Sequence, residues 1–156
     1  MATDQPVLRE FFDRLLPILE QFEGFRPRPY LCPAGVPTIG FGSTRYLDGR
    51  PVALTDPPIS REHARVLARE QILADYLPAV LRLCTNLQTL DRAAAITDFA
   101  YNLGTGALRA STLRRRINED RWPEVPAELR KWVRGGGRVL PGLVRRREAE
   151  IRLLGR

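Results

Sequence analysis

Cysteine and histidine are scarce in this chain of 156 residues, which has two cysteines, Cys32 and Cys84, and one histidine, His63. Two cysteines are too few for a disulfide framework, and one histidine without a second ligand nearby does not make a zinc site. We therefore expect reduced thiols, no metal and no cofactor.

Long apolar runs are absent, since no stretch approaches the roughly 20 residues that a membrane-spanning helix needs. The N-terminal segment MATDQPVLREFFDR also lacks the basic, apolar and small-residue order of a signal peptide. These absences predict a protein that is made in the cytoplasm and makes no stable insertion into a membrane.

Lysine is almost missing, because all but one of the 25 basic residues are arginine, and the net charge is +7. Residues 1–78 contain 9 basic and 10 acidic residues, whereas residues 79–156 contain 16 and 8. A basic half attracts polyanions such as nucleic acid, anionic lipid or anionic cell-wall polymer. The plainer interpretation, arginines on solvated helix faces, is equally compatible with these counts.

The first half of the chain contains helix and strand patterns in turn. Residues 7–22 have apolar positions at helical spacing, interrupted by Pro17, which predicts two short helices, with Pro17 in the first turn of the second. That second helix should end at Glu23, with Gly24 as its C-cap. Residues 25–52 contain short extended pieces separated by PAG, GFG and DGR. This pattern is typical of a small antiparallel sheet, with a turn at Pro33-Ala34-Gly35.

The remainder of the chain has helical periodicity. Ser60 is a suitable N-cap for a long helix over about 60–81, which would link two lobes and be kinked or ended by Pro78. Further helices are expected over 89–103, 110–118, 123–133 and 142–154, with GGGRVLPG as a loop before the last. We predict one α+β domain over residues 1–156, with a small antiparallel sheet lobe at about 15–60 and a mainly helical lobe at about 80–156.

Three chemically active side chains lie close together around the predicted turn, in the segment FEGFRPRPYLCPAGVPTIGFG. Glu23 falls at a helix C-terminus beside phenylalanines, where the helix dipole and desolvation favour its protonated form. Cys32 and Thr38 flank the turn, and facing residues on paired strands project to the same side. An acid opposite a second polar pair is the arrangement of a glycosidase. The bland alternatives are a solvated surface glutamate and a cysteine packed as a small apolar residue.

The spacing of these residues resembles the catalytic signature of phage-type lysozymes, the endolysins of glycoside hydrolase family 24. Glu23 is followed after eight residues by Cys32 and after five more by Thr38. The segments ITDFAYNLGTGALRASTLRRRIN and GGGRVLPGLVRRREAE are similar to the helical-lobe motifs of the same family, in the same order. The resemblance covers residues 15–154 and implies a lysozyme-like fold.

The resemblance implies hydrolysis of the β-1,4 bond between N-acetylmuramic acid and N-acetylglucosamine in peptidoglycan. Carried over by position, Glu23 is the general acid, Cys32 stands where the family has Asp or Cys, and Thr38 is the third catalytic residue. A thiol must lose its proton to act as base or nucleophile, so we expect nearby cations such as Arg26 or Arg28 to lower its pKa. Whether the anomeric outcome is inversion or retention stays open.

Further residues are carried over as substrate contacts. Tyr101 and Asn102 match a cleft-facing pair of the family, and Thr112 begins the next helix, where a sugar contact is expected. Arg146, or its neighbour Arg147, matches a basic residue that reaches towards the catalytic glutamate. For Tyr101, packing in the core is an equally good interpretation.

The expected partner is therefore the glycan strand of peptidoglycan, attacked by a monomer that a holin releases from the host cytoplasm to the periplasm and cell wall. The same chemistry fits a tail-associated lysozyme or a secreted wall-degrading effector. A non-catalytic wall-binding module or a basic nucleic-acid protein is the alternative from another class. The sequence contains no zinc spacing, RNA-recognition signature or phosphate-binding glycine loop that would favour nucleic acid.

Overall fold

The computed structural model describes residues 5–155, and these residues form two compact units. One unit contains the described chain up to Ile18 and again from Tyr76 onward, and the other comprises Leu19–Asp75. Helices predominate, with two small antiparallel sheets. Across residues 5–155, every helix is too short or too polar to cross a membrane.

Helix α1 runs without interruption from Pro6 to Glu23, so the prediction of two helices divided at Pro17 is wrong. Pro17 has no N–H to donate and its ring crowds the preceding turn, which costs about 3 kcal/mol in a helix interior. Leu15 and Leu19, one turn apart and on either side of Pro17, are both fully buried. We attribute the continuity of α1 to this apolar face, because burial of a leucine side chain contributes about 1.5–3 kcal/mol.

The predicted cap of this helix is confirmed. Gly24 follows Glu23 with a φ of 71°, and its N–H donates to the carbonyl of Glu20 at 3.1 Å. A left-handed residue directly after the last helical residue is the usual way to end a helix, and glycine adopts it without steric cost.

The predicted small sheet and its turn are also confirmed. Strand β1, Arg26–Leu31, pairs antiparallel with strand β2, Pro37–Gly40, across a turn over residues 32–36. The strand register shifts between Arg26 and Tyr30, next to Pro27 and Pro29, which have no N–H for a ladder bond. The buried side of this unit is a cluster of Ile39, Val52 and Leu67 with Tyr46 and Ile59 packed against it.

Helix α2, Arg61–Gln71, begins as predicted, because the Ser60 hydroxyl accepts the N–H of His63 at 3.0 Å. A π-helical turn over Ile72–Tyr76 follows, and helix α3 then runs over Leu77–Leu83 with Pro78 in its first turn. The predicted interruption of the helix thus occurs just before Pro78, as the π-helical turn, whose backbone is wider than that of an α-helix. Such a turn relieves the clash between the proline ring and the carbonyl four residues earlier.

The other unit is mainly helical, and the long periodic segments are where they were expected. Helix α4 spans Leu90–Leu103 and packs on α8, Pro141–Leu154. Between them lie α5 (Thr105–Ala110), α6 (Thr112–Asn118), a 3-10 turn (Trp122–Glu124) and α7 (Val125–Leu129). Helix α5 was not predicted. The helix expected over 123–133 is shorter than predicted, because its α-helical part, α7, spans only Val125–Leu129.

The segment expected to be a loop before α8 contains a small hairpin instead. Strand β3, Arg134–Gly135, pairs with strand β4, Arg138–Val139. Gly136 and Gly137 both have positive φ, 58° and 80°, which fits the two-residue turns that join short antiparallel strands. Two residues per strand give no alternation of polar and apolar positions, so the pattern was not visible in the sequence.

Close packing of β2 on α2 generates a testable prediction at Gly40. This residue has a φ of 68°, and a Cβ built on it would lie 2.9 Å from the Cβ of Ala64. We expect Gly40→Ala to lower the free energy of unfolding by about 2–4 kcal/mol in urea titrations, because backbone strain and overpacking add.

Gly49→Ala is the matched control, since Gly49 also has a positive φ, 86°, but has no heavy atom within 4 Å of the built Cβ. Gly49→Ala should lower the free energy of unfolding only by the backbone strain, about 1–2 kcal/mol. Equal losses at the two positions would contradict the packing argument.

Candidate active site

The β1–β2 hairpin determines the relative positions of Cys32 and Thr38. Cys32 N–H donates to the Val36 carbonyl at 3.1 Å, and Gly35 N–H donates to the Cys32 carbonyl at 2.8 Å. Tyr30, not Cys32, is the Cα partner of Thr38 in the ladder. Cys32 and Thr38 are therefore on one face, as expected, but as diagonal neighbours of the ladder and not as directly paired residues.

The Cys32 thiol is partly buried and has a pKa below the ordinary 9.0. The largest cause is the Val36 N–H, and the Ala34 N–H, the Thr38 hydroxyl and the cysteine's own N–H also lower the pKa, while partial burial opposes them. None of these leading causes is an arginine, so the expected contribution of Arg26 or Arg28 is not among the largest. Hydrogen-bond donors of a tight turn stabilise the thiolate instead.

Thr38 is buried and its hydroxyl has two acceptors within reach. It donates to the Val36 carbonyl at 2.9 Å, and it can also hydrogen-bond to the Cys32 sulfur. A threonine hydroxyl has a single proton, so it serves one acceptor at a time. Rotation about the side-chain bond therefore lets Thr38 stabilise a thiolate when one forms.

Glu23 is the last residue of α1 and is partly buried, and two residues, Gly24 and Phe25, separate it from strand β1. Its charge, like that of Cys32, acts on Tyr30, whose pKa is raised mainly by burial and further by Glu23 and Cys32, whereas Arg26 lowers it. Glu23 and Cys32 thus act electrostatically on Tyr30, and Thr38 is its ladder partner, all within one unit. Sequence reasoning missed Tyr30, although its place two residues before Cys32 on a strand was a usable signal.

The residues predicted as substrate contacts in the other unit lie on three helices. Asn102 accepts from Arg147 Nη2 at 2.8 Å, and the Tyr101 ring packs on Tyr76 with centroids 5.0 Å apart. Arg146 forms a buried, two-pronged ion pair with Asp98, at 2.8 and 2.9 Å. Thr112 is the first residue of α6, directly after the N-cap Ser111.

A second buried ion pair lies beside the first. Arg147 Nη2 contacts Glu150 Oε1 at 2.8 Å, and both side chains are fully buried. Burial and the neighbouring Asp98 carboxylate raise the pKa of Glu150 well above its ordinary value, although Arg147 and Arg146 oppose the shift. Burial of this pair is costly, because two charges are desolvated and Arg147 Nε and Glu150 Oε2 have no hydrogen-bond partner among the described residues.

The second cysteine, Cys84, is buried, and the two tryptophans, Trp122 and Trp132, pack against other side chains. Cys84 is buried just past the end of α3, and desolvation raises its pKa to about 11, so its thiol is inert near neutral pH. Trp132 packs edge-to-face on Phe99, at 5.4 Å between centroids, and the Arg92 guanidinium lies 4.0 Å above the Trp122 ring. In the described part of the chain, no three His, Cys, Asp or Glu side chains form a candidate metal site.

The sequence profile of the phage lysozyme family matches residues 20–150, a span that contains Glu23, Cys32 and Thr38. The chain belongs to this family. Its membership confirms the predicted family and lysozyme-like α+β fold, and it agrees with the predicted enzyme class, a glycoside hydrolase.

Individual phage lysozymes extend the comparison. An endolysin of Bacillus phage B103 is 35% identical over 138 residues, which are 85% of this chain and 49% of that protein. This chain therefore spans about half the length of the B103 relative. An endolysin of Acyrthosiphon pisum secondary endosymbiont phage 1 is 33% identical over 140 residues, covering 86% and 90% of the two chains. The solved endolysin of Escherichia coli O157:H7 phage FAHEc1 superposes with a TM-score of 0.79 at 26% identity, covering 97% and 94%.

The environment of Cys32 generates a prediction for thiol chemistry. In the folded protein, iodoacetamide should label Cys32 with an apparent pKa below 9.0, because the turn donors stabilise its thiolate. Thr38→Val should move that pKa upward, because a donor is lost. The measurement is the labelling rate against pH, with peptide mass spectrometry to locate the label.

Cys84 is the internal control, since it should react only after urea unfolding. A Cys32 titration at or above 9.0, or one that Thr38→Val leaves unchanged, would contradict the assigned role of the turn.

Proposed function

We propose that this chain is a lysozyme that cleaves the β-1,4 bond between N-acetylmuramic acid and N-acetylglucosamine in bacterial peptidoglycan and so causes host cell lysis. The observation that carries this proposal is that Cys32 and Thr38 lie on one face of the β1–β2 hairpin, whose Tyr30 also experiences the charge of Glu23. It is supported by membership of the phage lysozyme family, whose profile includes all three positions. Glycoside hydrolysis needs a proton donor for the leaving oxygen and a second group that acts at the anomeric carbon.

Glu23 is the general acid in this proposal. Its carboxyl gives its proton to the glycosidic oxygen as the bond from that oxygen to the anomeric carbon breaks. The oxygen leaves as the 4-hydroxyl of N-acetylglucosamine, and Glu23 is left as a carboxylate. The C-terminal end of α1 favours the protonated form that this step requires, because the helix dipole is negative there.

Cys32 completes the reaction by one of two routes. As a base, the thiolate takes a proton from water while the water oxygen bonds to the anomeric carbon, which inverts the configuration. As a nucleophile, its sulfur bonds to that carbon, and water then displaces the sulfur while giving a proton to Glu23, with net retention. The lowered pKa of Cys32 serves both routes, since each begins from the thiolate.

Thr38 has a supporting role in either route. Its hydroxyl can donate to the thiolate, or turn to the Val36 carbonyl when the thiol is protonated. Tyr101, Asn102 and Thr112 remain proposed substrate contacts, whereas Arg146, buried in its ion pair with Asp98, remains a proposed positioning residue. A monomeric state, release through a holin and a cytoplasmic start also stay predictions, as does the choice between an endolysin and a tail-associated or secreted enzyme.

The assignment of the acid is tested by Glu23→Gln. An amide keeps the shape of the side chain but cannot donate the proton, so we expect hydrolysis of purified peptidoglycan to fall by about 10²–10⁴. Circular dichroism should show an unchanged fold. Glu70→Gln, at an exposed glutamate of the same unit, should keep parental activity, and near-parental activity of Glu23→Gln would reject the assignment.

The role of the thiol is tested by two substitutions at Cys32. Cys32→Asp should retain substantial activity because a carboxylate is ionised at pH 7 without help, whereas Cys32→Ser should be nearly inactive because a hydroxyl stays neutral. NMR of the first product anomer separates the routes, since inversion indicates activated water and retention a thioglycosyl intermediate. Full activity of Cys32→Ser would exclude both routes.

A further inference from the structure

Strand β1 carries two arginines that have no side-chain ion pair among the described residues. Arg26 and Arg28 are exposed, and the only partner of either guanidinium in residues 5–155 is the Tyr30 ring, 4.3 Å from the Arg26 guanidinium carbon. Four further arginines of this unit contact a carbonyl, a carboxylate or an aromatic ring; these are Arg45, Arg50, Arg61 and Arg65. The two cations on β1 are therefore available to an external anion.

The same two arginines line a shallow groove of about 370 Å³ formed by residues 25–30. Tyr30 also lines the groove, and its hydroxyl makes no hydrogen bond within the described chain. Pro27 and Pro29 alternate with the arginines, and because proline fixes φ, the strand presents its cations on a stiff backbone. A site that is rigid before binding loses less entropy when a ligand arrives.

The groove is adjacent to the candidate catalytic residues. Tyr30 is the ladder partner of Thr38, and its hydroxyl experiences the charges of Glu23 and Cys32. A substrate with its scissile bond at these residues therefore brings its neighbouring substituents to the groove. In peptidoglycan those substituents are acidic, since muramic acid has a lactyl group on O3 that either ends in a carboxylate or continues into a stem peptide with carboxylates.

We propose that Arg26 and Arg28, with the Tyr30 hydroxyl, form a subsite for a carboxylate carried by the glycan strand, either of the lactyl group or of the stem peptide. This inference rests on the proposed function and specifies which form of the substrate is preferred. Arginine suits the role because its planar fork can donate two hydrogen bonds to one carboxylate. The site makes an anionic strand a better substrate than a neutral one of the same sugar sequence.

The test compares one soluble peptidoglycan preparation in two forms, native and with its carboxylates converted to methylamides by carbodiimide. We expect Arg26→Gln/Arg28→Gln to lower kcat/KM on the native strands about fivefold, as is typical for the loss of two exposed ion pairs, and to have less than a twofold effect on the amidated strands. Tyr30→Phe, which keeps the ring under Arg26, should show the same selectivity with a smaller loss. Arg82→Gln removes an exposed charge from the other unit and should affect both substrates equally.

A third substrate identifies the carboxylate. Strands stripped by an amidase lose the carboxylates of the stem and gain a free lactyl carboxylate, because the amide bond that joined the lactyl group to the stem is hydrolysed. A persistent loss in the double variant on these strands supports the lactyl group, and an abolished loss supports the stem. Equal losses on native and amidated strands would overturn the inference while the proposed function stands. Absence of hydrolysis by the parent on every substrate would instead reject the proposed function.

Discussion

The register of the β1–β2 hairpin is the constraint on which the candidate site depends. Residues of a strand alternate between faces, so a slip of one residue would move Tyr30, Cys32 and Thr38 to the opposite side or apart. Two backbone hydrogen bonds of the turn, from Cys32 to Val36 and from Gly35 to Cys32, hold this register. The turn that positions the thiol also supplies the N–H groups that lower its pKa, so geometry and reactivity come from the same few residues.

Local signals in the sequence were sufficient for much of this arrangement. Three of these signals are Gly24 after a helical pattern, Ser60 before another one, and the Pro-Ala-Gly turn. Each has a backbone preference that does not depend on the rest of the fold. Pro17 was misjudged because its local cost is smaller than the gain from an apolar helix face, which only tertiary packing supplies. Tyr30 was missed because it is placed beside Thr38 by the pairing register of β1 and β2. The residue pattern of β1 alone does not reveal that register.

The charge counted from the sequence also needs the structure for its interpretation. Arg146 and Arg147 belong to the basic half of the chain, yet both are buried against Asp98, Glu150 and Asn102. These two cations are held in the interior of the helical unit and contribute little to attraction at the surface. In contrast, Arg26 and Arg28 come from the half of the chain that is about neutral, and they are exposed. The positions of a few arginines therefore say more about where an anionic partner could bind than the net charge of the chain does.

The two prolines of β1 have a further consequence for the behaviour of the protein at high concentration. A two-stranded sheet leaves its outer edges open, and an open edge can recruit a strand from another molecule. On β1 the residues at positions 27 and 29 offer no N–H groups, and the carbonyl of Pro27 already accepts the N–H of Ile59 at 2.9 Å. This edge is thus a poor template for intermolecular strand pairing, which protects the protein from aggregation through the very segment that displays its free cations.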